Sequence, residues 1–198
     1  MVPTARILFR TCVMLPLGIV ALVYLRSRSW NCAMASVSGL LTAIGICEVW
    51  THVLKHYVLR RRPNFYALCG WEGTGCNGLP KKVLESQLSF PSGHSSISWC
   101  GMTFLVLVLL GKLQLSRLHG GQGWRQWVTW LVCLLPWSWS SYVATSRIAD
   151  NWHHASDVIA GIWLGILCAT ISYHSIFPHI FAMDSGISYA ELAARKTR

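Results

Sequence analysis

The chain has 198 residues, of which 53% are hydrophobic and only 12% are charged, and its formal net charge is +10. So large an apolar fraction excludes an ordinary water-soluble domain and indicates a membrane protein. The positive charge does not indicate a nucleic-acid-binding protein, because the cations lie at the edges of apolar runs and inside three short polar segments.

Long apolar runs recur along the chain and set its predicted architecture. Each is close to the ~20 residues that a helix needs to cross a hydrocarbon core of ~30 Å. The predicted spans are 7–25, 34–54, 95–111, 126–145 and 155–177. The sequence therefore predicts an all-α, polytopic membrane helix bundle of about five transmembrane helices, in a single domain over residues 1–198.

Two residue types within the spans have structural interpretations. Buried cysteine outside a disulfide behaves as a small apolar residue, and tryptophan is enriched where a helix meets the membrane surface. The cysteines predicted to pack in this way are Cys12, Cys32, Cys47, Cys100, Cys133 and Cys168. The tryptophans predicted to form interfacial belts around the fourth span include Trp124, Trp127, Trp130, Trp137 and Trp139.

The first polar segment follows the second span and runs from Lys55 to Pro63. Lys55 and Arg62 are two helical turns apart, so both can reach the same face of a helix. A lysine point charge beside an arginine fork suits a phosphate group. A basic run after a span is more often a solvated membrane anchor, and Arg60 and Arg61 are assigned that role.

Two features near this segment have open interpretations. Glu48 lies inside the second span, and it is predicted to pair either with a cation of the site or with another partner in the bundle. Cys69 and Cys76 share the following polar loop, with three glycines between them that let the backbone turn back. They are either free thiols or a disulfide, and a disulfide would imply an oxidising compartment.

The second polar segment, Pro91 to His94, opens the third span. Ser92 is a suitable N-cap, and Gly93 lets the backbone approach a ligand closely. Free N–H groups at Gly93 and His94 would then point at an anion, aided by the positive end of the helix dipole. The structural alternative is an ordinary helix start with an interfacial histidine.

The third polar segment, Ser146 to Asp157, enters the fifth span. His153 and Asp157 are four residues apart, so on a helix the carboxylate can hold one imidazole nitrogen and leave the other free as a nucleophile. Arg147 adds a second guanidinium fork. The alternatives are a structural hydrogen bond for the His153–Asp157 pair and an interfacial or supporting role for His154. If successive spans alternate in direction, all three segments meet at one face of the membrane.

The three segments resemble the signature motifs of the type 2 phosphatidic acid phosphatase superfamily, complete and in order. The matching residues are Lys55-x6-Arg62-Pro63, Pro91-Ser92-Gly93-His94 and Ser146-Arg147-x5-His153-x3-Asp157. Flanking residues in 61–65, 88–96 and 153–161 are similar to the eukaryotic lipid phosphate phosphatase branch. The resemblance covers almost the whole chain and implies a core like that of the haloperoxidases.

The resemblance implies a role for each matched residue. His153 would attack phosphorus and form a phosphohistidine, oriented by Asp157, and His94 would protonate the leaving alcohol. The residues implied to bind the phosphoryl oxygens are Lys55, Arg62, Ser92, Gly93 and Arg147. The resemblance implies neither a metal nor another cofactor.

The resemblance also implies a substrate class, with alternatives. The expected reaction is hydrolysis of phosphatidate or a related lipid phosphomonoester, and lipid pyrophosphates and sphingoid phosphates are alternative substrates. A catalytically silent lipid-binding relative is a further alternative. The active site is expected on the lumenal or extracellular face, with residues 178–198 as a cytosolic tail. The superfamily usually has six spans, and residues 7–54 are similar to its second and third.

Overall fold

The computed structural model of the protein describes residues 5–26, 29–113 and 123–197, so Arg198 of the predicted tail lies outside the described residues. The helices in chain order are α1 (Ala5–Phe9), α2 (Leu15–Arg26), α3 (Trp30–Val58), α4 (Phe65–Cys69), α5 (Pro80–Ser86), α6 (Gly93–Leu113), α7 (Gly123–Ala149), α8 (Ala155–Ile176) and α9 (Tyr189–Lys196). A π-helical turn, Arg10–Met14, joins α1 to α2 in one helical path.

The predicted all-α membrane bundle is confirmed, and the chain is an integral membrane protein. Within the described ranges, four helical stretches are long and apolar enough to cross a membrane by length and composition: Arg6–Leu25, Trp30–Val58, Gly93–Leu113 and Ala155–Ile176. The fourth predicted span, 126–145, lies in α7, whose 27 residues would reach across a bilayer at ~1.5 Å per residue. Its many tryptophans and serines make α7 less apolar than the other long helices.

Helix α6 lies at the centre of the bundle, where it packs against α3, α7 and α8. Most of its residues are buried on every side, as expected for a helix surrounded by others. The six cysteines predicted to be packing residues are all free and buried, so that prediction is confirmed.

The contact between α6 and α8 is unusually close because α8 carries glycine where the two backbones meet. A Cβ atom on Gly161 would lie 2.6 Å from the Ser92 carbonyl oxygen, and one on Gly165 would overlap the Ser96 carbonyl oxygen. Two small residues four positions apart permit this approach between membrane helices. The N-terminal ends of α6 and α8, which carry the second and third polar segments, are thereby fixed side by side.

The C-terminal segment folds back on the opposite end of the bundle, away from the three polar segments. Tyr173 donates from its hydroxyl to the Ser185 carbonyl at 3.2 Å, and the Ser185 hydroxyl donates to the Gly111 carbonyl at 3.1 Å. Tyr24 reaches the Gly186 carbonyl at 3.4 Å. The predicted tail therefore lies against the end of the bundle where α6 and α8 finish.

Candidate active site

The three polar segments meet at one end of the bundle, where backbone hydrogen bonds join them. These bonds run from Arg62 N–H to Ser86 O (2.8 Å), from Ser89 N–H to Arg60 O (2.9 Å), from Asn64 N–H to Asn151 O (3.2 Å) and from Ser92 N–H to Asp157 O (2.9 Å). The loop after α3, the start of α6 and the start of α8 thus form one connected unit.

His153 lies in the turn between α7 and α8, and only 4% of its surface is exposed. Its Nδ1 atom is 2.8 Å from the Ser89 carbonyl oxygen. Because a carbonyl can only accept, Nδ1 must carry the proton, and Nε2 keeps its lone pair. Burial lowers the pKa of His153 below the ordinary histidine value, since the opposing effects of Asp157 and the Ser89 carbonyl do not outweigh it and the charges of Arg62 and Lys55 act in the same direction as burial. The ring is therefore neutral near pH 7.

Asp157 is fully buried, and its hydrogen bonds differ from those the sequence predicted. The expected direct bond to His153 is replaced by a longer contact, with Nδ1 3.9 Å from Oδ2. Instead, Oδ2 accepts from the Ser89 hydroxyl at 2.6 Å, and Oδ1 accepts from Arg60 Nη1 at 2.7 Å. The short bond from the imidazole goes to the Ser89 carbonyl, which lies between the two side chains.

His154 also contacts Asp157. Its backbone N–H donates to Asp157 Oδ2 at 3.0 Å, and its Nδ1 atom is 3.2 Å from the same oxygen. Of the two interpretations made from the sequence, the supporting role describes this geometry, because His154 is the N-cap residue of α8.

Three cations surround the two histidines of the site. Lys55 donates from Nζ to the Leu88 carbonyl at 2.8 Å, and its stem passes close to Gly93. Arg62 donates from Nε to the Glu85 carbonyl at 2.8 Å, and its guanidinium carbon lies 5.1 Å from the centre of the Trp152 ring. These contacts orient both side chains while using only some of the donors that each one carries.

Arg147 is the most buried of the three cations, with 4% of its surface exposed. Its Nε and Nη2 atoms donate to the Ser146 hydroxyl at 3.3 and 3.2 Å, and Nη2 lies 3.8 Å from Asp150. A buried guanidinium normally has strong hydrogen bonds to carboxylates. Arg147 has one neutral acceptor and a distant carboxylate, which leaves it suited to an added anion.

The start of α6 places the second segment beside these cations. Ser92 Oγ accepts from the Ser95 N–H at 3.4 Å, which is the geometry expected of an N-cap, and from the Ser95 hydroxyl at 3.0 Å. The Ser92 backbone N–H donates to the Asp157 carbonyl oxygen. His94 is half-buried, and its ring interacts electrostatically with the positive charges of Arg147, Arg62 and Lys55.

Sequence reasoning missed two members of this cluster, Arg60 and Ser89. The prediction that Arg60 lies at the membrane surface with Arg61 is wrong, because Arg60 bonds to the buried Asp157. Arg61 instead lies over the Phe65 ring, 4.8 Å from its centre. Charge balance indicates that an aspartate inside a span requires a cation or several donors, but it does not distinguish Arg60 from Arg61.

The two open features outside the cluster have definite structures. Glu48 pairs with His52 at 3.3 Å, one turn along α3, rather than with a cation of the site. Cys69 and Cys76 form a disulfide that closes the loop between them. An antiparallel β-bridge joins Trp71 to Cys76 within this loop, which thus forms a small hairpin.

Taken together, the site holds a neutral imidazole with a free lone pair, a second imidazole and three cations with donors to spare. Among the described residues, no group of three or more His, Cys, Asp or Glu side chains could hold a metal ion. The arrangement can bind an anion with several oxygens and attack its central atom from His153.

Comparison with known proteins agrees with this chemistry. The model of the PAP2 superfamily matches residues 36–181. Lipid phosphate phosphatase 1 from Arabidopsis thaliana is 34% identical over 197 residues, which cover 94% of this chain and 58% of the plant protein. No solved structure matches the chain.

Relatives from other lineages have related names. Probable diacylglycerol pyrophosphate phosphatase 1 from Schizosaccharomyces pombe is 33% identical, covering 79% of this chain and 58% of that protein. Phospholipid phosphatase 2 from Rattus norvegicus is 32% identical, covering 86% of this chain and 67% of that protein. The chain thus spans less than two thirds of the length of the plant and yeast proteins.

Proposed function

The chain belongs to the PAP2 superfamily, and on that premise we propose that it is a membrane-bound lipid phosphate phosphatase. Its substrate would be phosphatidate or a related lipid phosphomonoester, which it would hydrolyse to the lipid alcohol and inorganic phosphate. The observation that carries this proposal is the hydrogen bond from His153 Nδ1 to the Ser89 carbonyl, at 2.8 Å.

In the first step, His153 Nε2 attacks the phosphorus atom, and the bond from phosphorus to the lipid oxygen breaks. The nucleophile needs a neutral ring with its lone pair on Nε2, and the Ser89 carbonyl selects that tautomer. Lys55, Arg62 and Arg147 bind the phosphoryl oxygens together with Ser92 and the Gly93 N–H. Their charges stabilise the pentacoordinate transition state, in which negative charge spreads over these oxygens.

His94 protonates the leaving lipid oxygen in this step. The cations around His94 disfavour a protonated imidazole, and the negative charge of the bound substrate offsets them, which favours the protonated form that the step requires. In the second step, water attacks the phosphohistidine, His94 accepts the proton of that water, and the bond from phosphorus to nitrogen breaks. Phosphate is released, and His153 is neutral again.

We infer that the reaction does not need magnesium. The three cations can supply the charge stabilisation that a metal ion provides in other phosphoryl-transfer enzymes. The described residues also offer no cluster of carboxylates around the phosphate position.

We also infer that the site opens on the lumenal or extracellular face. The loop that carries Arg60 and Arg62 continues into the Cys69–Cys76 disulfide. Disulfides persist in oxidising compartments and are rare in the cytosol, which supports this orientation.

A lipid pyrophosphate is the second candidate substrate, and one observation favours it. The yeast relative carries the name of a probable diacylglycerol pyrophosphate phosphatase. The same attack by His153 would then release a phosphate monoester as the leaving group.

The test is phosphate release by the purified full chain in detergent, with phosphatidate and diacylglycerol pyrophosphate as substrates and excess chelator present. We expect release that persists with the chelator and disappears in His153→Ala. His56→Ala is the matched control, because His56 is an exposed histidine of α3 that lies outside the cluster.

The outcomes separate the candidate functions. The ratio of kcat/KM for the two lipids decides between monoester and pyrophosphate. No release from folded protein with either lipid or with a sphingoid phosphate would overturn the proposal and favour a lipid-binding relative. If activity were lost on adding chelator and restored by magnesium, only the inference that the reaction does not need magnesium would be overturned.

A further inference from the structure

Arg60 occupies the point where the three polar segments cross. Its carbonyl oxygen accepts from the Ser89 N–H at 2.9 Å. Its Nη1 atom donates to Asp157 Oδ1 at 2.7 Å and to the Ser156 hydroxyl at 2.6 Å. Arg60, in the loop after α3, therefore contacts both Ser89, which lies shortly before α6, and the first turn of α8.

Ser89 is held at all of its polar groups. Its N–H donates to Arg60, its hydroxyl donates to Asp157 Oδ2 at 2.6 Å, and its carbonyl accepts from His153 Nδ1 at 2.8 Å. The residue is fully buried. A peptide fixed at three points has little freedom to tilt, so the carbonyl presents a fixed acceptor to the imidazole.

The direct distance between His153 Nδ1 and Asp157 is 3.9 Å, too long for a hydrogen bond. Asp157 therefore reaches the ring mainly through Ser89. We propose that Arg60 is a positioning residue for the nucleophile: it fixes Asp157 and the Ser89 peptide, and the Ser89 carbonyl then sets the tautomer and direction of His153. This inference rests on the proposed function, in which His153 is the nucleophile.

The chemistry of the Arg60 contacts favours arginine at this position. Asp157 is fully buried, and a buried carboxylate needs charged or strong donors around it. The bonds to Asp157 and Ser156 both come from the one nitrogen Nη1, which the planar guanidinium holds in a fixed direction, whereas a lysine ammonium at the end of a flexible stem would be held less firmly. Asp157 also accepts from Ser89 and His154, so removing Arg60 weakens its position without leaving it unpaired.

The adjacent Arg61 provides a matched control. It carries the same charge on the same loop, but its guanidinium lies over the Phe65 ring, 4.8 Å from the ring centre. Arg60→Gln and Arg61→Gln therefore remove the same charge from neighbouring positions, and only the first removes a bond to Asp157.

The experiment measures kcat and KM for phosphatidate with the full chain in detergent. We expect Arg60→Gln to lower kcat on the order of 10–100-fold, the range known for residues that orient the ligands of a metal ion, and to leave KM within about threefold. Arg60→Lys, which retains a donor and a charge, should recover part of the loss. Arg61→Gln should match the wild-type chain.

A double mutant distinguishes positioning from a general loss of structure. If Arg60 acts through Asp157, Arg60→Gln in an Asp157→Asn background should cause little further loss, because the path is already broken. The inference would be overturned if the losses from the two single substitutions multiply in the double mutant. It would also be overturned if Arg60→Gln changes only KM or keeps the wild-type kcat. If Arg60→Gln does not fold, Arg60→Lys in the same background provides the comparison, because it changes the donor to Asp157 and keeps the charge.

A spectroscopic measurement separates this inference from the proposed function. Nitrogen NMR of the full chain with labelled histidine should show His153 protonated at Nδ1, and Arg60→Gln should shift the ring toward a mixture of tautomers, with a smaller shift in Arg60→Lys. If the wild-type chain releases no phosphate, the proposed function fails, and this spectrum still decides whether Arg60 sets the state of the ring. An unchanged His153 signal would overturn the positioning role.

Discussion

The two ends of the bundle are held together in different ways. At the site end, the contacts are hydrogen bonds from charged side chains and loop backbone, such as those of Arg60 and Ser89. At the opposite end, aromatic rings pack in series: Tyr24 stacks on Phe177 at 6.1 Å, and Phe177 stacks on Tyr173 at 5.2 Å.

The difference separates what stabilises the fold from what prepares the site. The aromatic series fills space and contributes dispersion energy, and Tyr173 also bonds to the returning C-terminal segment. The site end contains a buried guanidinium, Arg147, whose nearest carboxylate is 3.8 Å away. A buried guanidinium of this kind contributes little to the free energy of unfolding while no anion is bound, and it binds an anion strongly when one enters the site. Substitutions at the two ends should therefore affect different measurements.

The largest effect is expected at the site end, in Arg147→Ala. We expect kcat/KM for the lipid phosphate to fall about 10³-fold, about 4 kcal/mol, because one fixed charge on the phosphoryl oxygens is lost. The melting temperature in detergent should change little or rise. Arg195→Ala is the control, since Arg195 forms an exposed pair with Glu191. A large drop in melting temperature with little change in kcat/KM would contradict the comparison.

The reverse result is expected at the opposite end, in Tyr173→Ala. Replacing a fully buried aromatic ring should lower stability by about 3 kcal/mol, near the low end for such changes, because lipid tails compete for the exposed surface. The kcat of the folded fraction should equal that of the wild-type chain. Tyr189→Ala, at an exposed position of α9, should change neither quantity. Equal stability of Tyr173→Ala and the wild type would refute the structural role.

The smallest effect is a shift in pH dependence. Since burial and the charges of Arg62 and Lys55 lower the pKa of His153, the acid limb of kcat/KM should lie below the ordinary histidine value of about 6.5. Removing a positive neighbour favours the protonated ring, so Arg62→Gln should move that limb to higher pH by up to about one unit.

The pH dependence of kcat/KM is measured for the wild-type chain and Arg62→Gln with the same lipid. Titration of the substrate then affects both profiles equally. Arg61→Gln should leave the limb in place. A limb that moves to lower pH in Arg62→Gln would show that another group controls it.

Much of the site could be predicted because span alternation fixes which segments meet. Lys55, His94 and His153 each lie at a span boundary, and alternating spans bring those boundaries to the same side of a membrane. The superfamily suggested by the motifs is confirmed by the family match over 36–181. The roles of the individual residues remain predictions for the experiments above.

The Arg60 contacts could not be predicted, because they depend on how the chain leaves α3. Leu59 has φ of 47°, in the left-handed region, and this residue turns the chain so that Arg60 faces the start of α8. Glycine is the usual sequence signal for such a reversal, and here the position holds leucine. Without that signal, Arg60 and Arg61 are equivalent in the sequence.

The hairpin closed by the Cys69–Cys76 disulfide offers a practical use. Gly73, with φ of 86°, has no atom within 4 Å of a Cβ position, and the neighbouring Thr74 is exposed. An epitope inserted between these two residues would project from the surface while the disulfide holds both ends of the hairpin. Antibody access to that epitope in sealed vesicles would report which way the chain is inserted, independently of any enzyme assay.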